Sequence, residues 1–142
     1  MSRPSAGDRF GAVLVEGLTR TQIVQYAGAS GDFNPLHTDE RYAVEVGGLH
    51  SVMAHGMLTA GLTARFVEGL VPGTFVRRFG GRFVAPVWPG DTLTAQGIVS
   101  AVDEETGALS VEVTTSNDQG QVVFRGTATL VDLAAPSSET GT

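Results

Sequence analysis

The sequence predicts an α+β fold: one domain in which a curved antiparallel β-sheet wraps around a long central helix. Two short helical patterns and one long one follow a lone early apolar run. After Pro72-Gly73 the chain turns to alternating, β-branched runs. Turn-type segments short enough for hairpins join the last of these runs, so those strands should pair antiparallel. At 142 residues the chain is long enough for a single hydrophobic core.

In chain order, Phe10 to Val15 (FGAVLV) is a short strand or extended lead-in. Thr19 and Gln22 make a capping-box signature, and Ile23, Tyr26 and Ala27 fall at helical spacing. A helix over 20–28 follows, with Gly28 and Gly31 as candidate stops. Asp39 can cap a second short helix, ERYAVEV, ended by Gly47-Gly48. Met57, Leu58, Leu62 and Phe66 trace a long helix over about 55–70. Its apolar residues run all round, which implies deep burial, and its Gly and Ala residues suit close packing on a sheet. Four strands come next: VRRFGGRFVAPV, DTLTAQGIVSAV, LSVEVTTSN and VVFRGTATLVDL. Pro89-Gly90, EETG and NDQG turn the chain between them. Such a sheet leaves an open edge, which a homodimer extending the sheet would cover. The polar tail AAPSSETGT is expected to be disordered.

Composition narrows the function. The net charge of −6 disfavours general nucleic-acid binding. With no Cys there is no thiol nucleophile and no Cys-ligated zinc. All nine basic residues are Arg, so there is no Lys for a Schiff base or a P-loop. No apolar run approaches the 18 or so residues of a membrane span. MSRPSAGDRF lacks the apolar stretch of a signal peptide, which makes a cytoplasmic location the expectation.

GDFNPLH, Gly31 to His37, is the densest cluster of polar chemistry. One reading is a turn, since Asp and Asn bond their own backbone and Pro fixes φ. The other is a pair of proton-transfer groups, Asp32 and His37, on a stiff loop. Asn34 and Pro35 would be structural: Pro35 pushes Asn34 out of the helical region, and the Asn34 amide can tie the loop and fix the His37 ring. Gly56 falls at the start of the long helix, where backbone N–H groups lack partners and negative charge is favoured. His55 could cap that helix or pack beneath the loop as a neutral core histidine. His50 is expected to be an exposed loop residue. His37, His50 and His55 lack the spacing of a metal site, and no carboxylate stands at ligand spacing, so no metal is expected. In VRRFGGRF, alternation puts Arg78 and Arg82 opposite Phe79 and Phe83, unless Gly80-Gly81 makes a bulge. The arginines face solvent or meet phosphates.

Three stretches together resemble one family. SGDFNPLHTD resembles the hydratase-2 signature of the MaoC-like proteins of the hot-dog fold. AHGMLTAG resembles the start of that family's central helix, and RFVAPVWPGDTL its following strand and turn. The resemblance covers about 8–132. It implies an N-terminal extension (1–7), a single hot-dog domain (8–133) and a tail (134–142). It also implies a hydro-lyase of fatty acid metabolism that hydrates trans-2-enoyl thioesters of coenzyme A or acyl carrier protein to (R)-3-hydroxyacyl thioesters, or runs the reverse. On this reading Asp32 and His37 share a water as acid–base pair, and the Gly56 N–H is the oxyanion donor. Asn34, Pro35 and His55 support them, and Arg78 and Arg82 bind the phosphates of coenzyme A or of a carrier arm. No cofactor is required. A homodimer is expected, or a heterodimer with a second MaoC-like chain. One departure stands out: Ala64 occupies a position where some (R)-hydratases place a Ser, with Thr63 beside it. The competing readings are a non-catalytic, acyl-binding subunit of a heteromeric dehydratase, and a hot-dog thioesterase.

Overall fold

The computed structural model describes residues 2–133. The chain runs through β1 (Arg9–Val15), α1 (Arg20–Ser30), a 3-10 turn (Pro35–His37), α2 (Glu40–Glu45) and α3 (Gly56–Glu68). Then come β2 (Thr74–Phe83), β3 (Leu93–Val102), β4 (Leu109–Ser116) and β5 (Val122–Asp132). The strands form one antiparallel sheet in the order β1-β3-β4-β5-β2, so β1 and β2 are its edges. α3 lies against all five strands. The α+β arrangement is the expected one, and both hairpins formed as their turn residues require.

Strand alternation sets the core. Val99, Leu109, Val111, Val113, Ala128 and Leu130 turn to the helix side and enclose Val67 in the second half of α3. Leu18, Ile23, Ala54, Val87, Leu93 and Val123 form a second cluster, with Leu58 and Leu62 of α3 packed on it. Each fully buried aliphatic side chain contributes about 1.5–3 kcal/mol, so both halves of α3 are clamped. The start of α3, where the candidate site lies, therefore sits on a rigid base.

Local chemistry explains the helix ends. The Thr19 hydroxyl accepts the Gln22 N–H while the Gln22 side chain accepts the Thr19 N–H, closing the capping box. α1 runs through Gly28 and stops at Gly31, whose φ of 75° is left-handed. Asp39 caps α2 by accepting the Tyr42 N–H.

Two expectations need correction. α3 is not buried all round. Thr59, Ala60, Thr63 and Val67 are buried, but Met57, Gly61, Arg65 and Glu68 form an exposed stripe, because the sheet covers one side only. β2 ends at Phe83, and 84–87 leaves the sheet to meet the loop before α3, where the Ala54 N–H donates to the Val87 carbonyl at 2.8 Å. β2 keeps the expected alternation through Gly80-Gly81, and its register shifts between Val76 and Arg78. Gly81 is needed for close approach: a Cβ there would lie 2.3 Å from the Arg125 carbonyl oxygen and 2.6 Å from the Phe124 ring.

The segment before β1 is tied to the sheet. The Gly7 N–H donates to the Val99 carbonyl at 2.8 Å, and Arg3 pairs with Asp132 at 2.8 Å. The tail expected to be disordered (134–142) lies outside the described residues. Among the described residues, no helix is long and apolar enough to cross a membrane.

Candidate active site

GDFNPLH folds as its residue types dictate. Asp32 Oδ1 accepts the Asn34 N–H at 3.2 Å, and Asn34 Oδ1 accepts the Leu36 N–H at 3.0 Å. Pro35 opens the 3-10 turn, and the His37 N–H donates to the Asn34 carbonyl at 3.0 Å. The turn reading is thus right about the backbone, and the second reading survives beside it. The turn uses only one oxygen of Asp32. The other, Oδ2, lies 3.8 Å from His37 Nε2. That is too long for a direct hydrogen bond.

The ring of His37 is fixed by a residue the sequence did not mark. His37 Nδ1 lies 2.6 Å from the Met53 carbonyl oxygen. A carbonyl only accepts, so Nδ1 carries a proton, and in the neutral ring Nε2 is then the nitrogen that presents a lone pair to Asp32. Asn34, expected to orient this ring, bonds the Leu36 backbone instead.

His55 takes the buried-histidine reading. It is 2% exposed and precedes α3 without capping it. Its Nε2–H donates to the Asp32 carbonyl at 3.0 Å. Its ring stacks on His37, with centroids 3.7 Å apart and planes 23° from parallel. Tyr26 of α1 meets its other side edge-on at 4.8 Å. His55 Nδ1 is buried with no hydrogen-bond partner among the described residues. Folding thus gathers Asp32, His37 and His55, with ligand-type atoms all within 4.8 Å. The spacing argument missed this group, since His55 comes from another element. A shared metal is still disfavoured. Stacked rings aim their in-plane lone pairs side by side, and one ion at about 2 Å from each nitrogen needs them to converge.

Gly56 follows His55 and opens α3. Its N–H has no backbone acceptor among the described residues, as expected at a helix start. A cavity of about 350 Å³ adjoins it, lined among others by Met53, Thr59, Phe83, Pro86 and Val87. A Cβ at Gly56 would lie 3.0 Å from the Phe83 ring, so only Gly lets that ring rest here. Phe83 in turn packs on buried Phe124, with centroids 5.7 Å apart.

The family model described as MaoC like domain matches residues 4–121. The chain belongs to the MaoC-like domain family. It is 34% identical over 123 residues to an (R)-specific enoyl-CoA hydratase of Rhodospirillum rubrum, covering 84% of this chain and 83% of that one. Its fold matches that of an R-hydratase from Pseudomonas aeruginosa in the unliganded form, with a TM-score of 0.81 and 25% identity over 91% of this chain and 82% of that one. The domain also occurs inside longer proteins. It is 37% identical over 112 residues to a fatty acid synthase beta subunit of Emericella nidulans, of which it spans 5%. The fold of this MaoC-like chain is the hot-dog fold.

Not every expected residue converges on the site. Arg78 and Arg82 lie on the opposite face of β2 from Phe83 and do not join Asp32 and His37. His50 is an exposed loop residue, with its ring 3.9 Å from Trp88. Thr63 does not replace the missing Ser beside Ala64, since its hydroxyl is taken up by the Thr59 carbonyl at 2.8 Å and Thr115 at 2.6 Å. Arg20 and Glu40 support the site without a sequence signal. Glu40 accepts from Arg20 at 2.5 Å and from the Val52 N–H at 3.4 Å. This ties α1 and α2 to the loop that carries Met53 and His55. The bond from Arg20 holds the Glu40 carboxyl below its ordinary range.

Proposed function

We propose that this chain adds water to trans-2-enoyl thioesters, giving (R)-3-hydroxyacyl thioesters, and catalyses the reverse dehydration. It is a hydro-lyase. The observation that carries the proposal is the 3.8 Å gap between Asp32 Oδ2 and His37 Nε2, which in the neutral ring is an acceptor like the carboxylate, beside a Gly56 N–H with no acceptor among the described residues. A water about 2.8 Å from each atom fits at the apex of that gap. It donates one hydrogen to the carboxylate and one to the imidazole, which turns its oxygen lone pair outward to the β-carbon. As the C–O bond forms, the pair takes the water's proton, and a proton passes to the α-carbon on the same face. Both atoms face the one water, so the role of base is assigned to the pair and not to either residue alone. Such acid–base help is worth about 10² to 10⁴ in rate.

The negative charge that develops on the thioester oxygen needs a donor. The Gly56 N–H, at the positive end of α3, supplies it. One donor of this type is worth about 3–4 kcal/mol. The cavity beside Gly56 takes the start of the acyl chain. His55 holds the Asp32 backbone and backs the His37 ring.

The single chain leaves the Asp32 side chain 53% exposed. Phe33 is 68% exposed and Phe83 53% exposed beside the site. A second copy paired along the β2 edge would cover apolar surface here and exclude bulk water. A second MaoC-like chain could take the same place.

The test is loss of the enoyl-thioester absorbance of crotonyl-CoA and of a longer enoyl-CoA. A product-specific dehydrogenase coupled to the reaction assigns the hand of the hydroxyl. Asp32→Asn and His37→Ala should each lower kcat at least about a hundredfold. Activity that survives both substitutions sinks the assignment, and release of free thiol would indicate a thioesterase.

A further inference from the structure

We propose that the outer face of β2 and β5 docks the acidic surface of an acyl carrier protein. The proposal rests on the hydratase reading for what the carrier delivers. It starts from the sheet register. From Arg78 to Phe83, β2 alternates regularly. Phe79 and Phe83 pack on Phe124, with centroids 5.9 and 5.7 Å apart, so Arg78 and Arg82 stand on the other face. On that face Arg82 lies directly opposite Arg125 of β5, Gly80 opposite Thr127, and Arg78 opposite Thr129. All three arginines are exposed.

Like charges placed opposite each other destabilise a sheet. Among the described residues, no acid forms an ion pair with Arg82 or Arg125. Among the described residues, the arginines in ion pairs are Arg3, Arg20 and Arg41, and none belongs to this cluster. Glu112, opposite Thr127 on β4, is the nearest acid by register on this face. In a chain of net charge −6, unpaired arginines gathered on two neighbouring strands are a local reversal of the field.

The shape of the patch selects the partner. Arg78 and Arg82 are four residues apart, about 13 Å along the strand, and Arg125 lies about 5 Å across. Between them is an open, shallow depression of about 380 Å³ floored by Gly80, Gly81, Gly126 and Thr127. Among the described residues this face carries no aromatic ring for an adenine to stack on, since Phe79 and Phe83 lie on the other face against Phe124. A broad, flat, basic face suits the carboxylates of an acidic helix, which Arg can engage two oxygens at a time. The location suits delivery. Arg82 adjoins Phe83, whose ring rests on Gly56, so a flexible arm can pass round the end of β2 to the cavity. Pairing of two copies along β2 lies in the plane of the sheet and leaves this face open.

The experiment is fluorescence anisotropy with a labelled, crotonyl-loaded acyl carrier protein, at low and raised salt. The wild type is compared with Arg82→Glu/Arg125→Glu and with Arg9→Glu, a charge reversal on the far edge strand. The expected result is binding by the wild type that weakens with salt, with a Kd raised at least about tenfold in the double variant and held within about twofold by Arg9→Glu. No carrier binding by the wild type, or equal weakening by Arg9→Glu, overturns the proposal. In parallel, Arg125→Glu should lower kcat/KM for the crotonyl carrier at least about tenfold more than for crotonyl-CoA. Equal losses on both would assign the arginines to the phosphates that the substrates share. A wild type that hydrates neither substrate defeats the hydratase reading, and the anisotropy still decides the docking.

Discussion

Replacing Gly56 with Ala tests the site where packing and chemistry meet. The added Cβ would stand 3.0, 3.1 and 3.1 Å from three atoms of the Phe83 ring. Ordinary carbon contacts are about 3.5–4.0 Å, so the ring must give by about half an ångström. Phe83 is 53% exposed and can swing outward. The folding cost should therefore sit at the low end of overpacking, about 1 kcal/mol, or about 3–5 °C in Tm. The effect on rate should be far larger. On the proposed mechanism the methyl group would stand in the wall along which the thioester approaches the Gly56 N–H, and a displacement of about 1 Å at a reacting centre can cost about a hundredfold. Calorimetry and crotonyl-CoA kinetics on Gly56→Ala, with Gly56→Ala/Phe83→Ala beside it, separate the two terms. Removing the ring should relieve the clash and leave kcat low. Full activity in Gly56→Ala at an unchanged Tm would show that substrate does not pass this wall. A Tm loss above about 10 °C would show that Phe83 is not free to move.

Two further predictions concern what holds the site. Thr63→Val leaves the buried Thr115 hydroxyl without its acceptor and should cost about 1–3 kcal/mol, while Thr63→Val/Thr115→Val should recover most of that; additive urea-unfolding losses would refute the coupling. For Glu40 the folded pKa lies below the unfolded one, so its stabilisation is full above the ordinary carboxylate range and is lost as pH falls through the folded value. Melting curves between pH 7 and pH 3 should therefore converge for wild type and Glu40→Gln at the acid end, with the wild type ahead near neutrality; parallel curves would show that the tie is inert.

The sequence by itself determined what depends on near neighbours. Thr19 and Gln22 close a capping box because both ends of it lie within one turn. Asp32, Asn34 and Pro35 make their turn from bonds two residues long. The alternation of β4 and the hairpins beside it follow from a period of two and from short loops, and the order of these elements already implied a helix laid in a sheet. Burial of α3 was overestimated, since apolar composition does not say how many sides the sheet covers. Only the tertiary structure decided what converges. Packing of α3 on the sheet brings His55 under His37 and onto the Asp32 carbonyl, 23 residues back in the chain. The Met53 carbonyl fixes the His37 tautomer through a backbone atom, which no side-chain pattern can reveal. The register of β5 sets Arg125 against Arg82, two residues 43 apart that no local period connects. Short-range geometry is written into residue types, whereas contacts between elements depend on how their apolar faces meet.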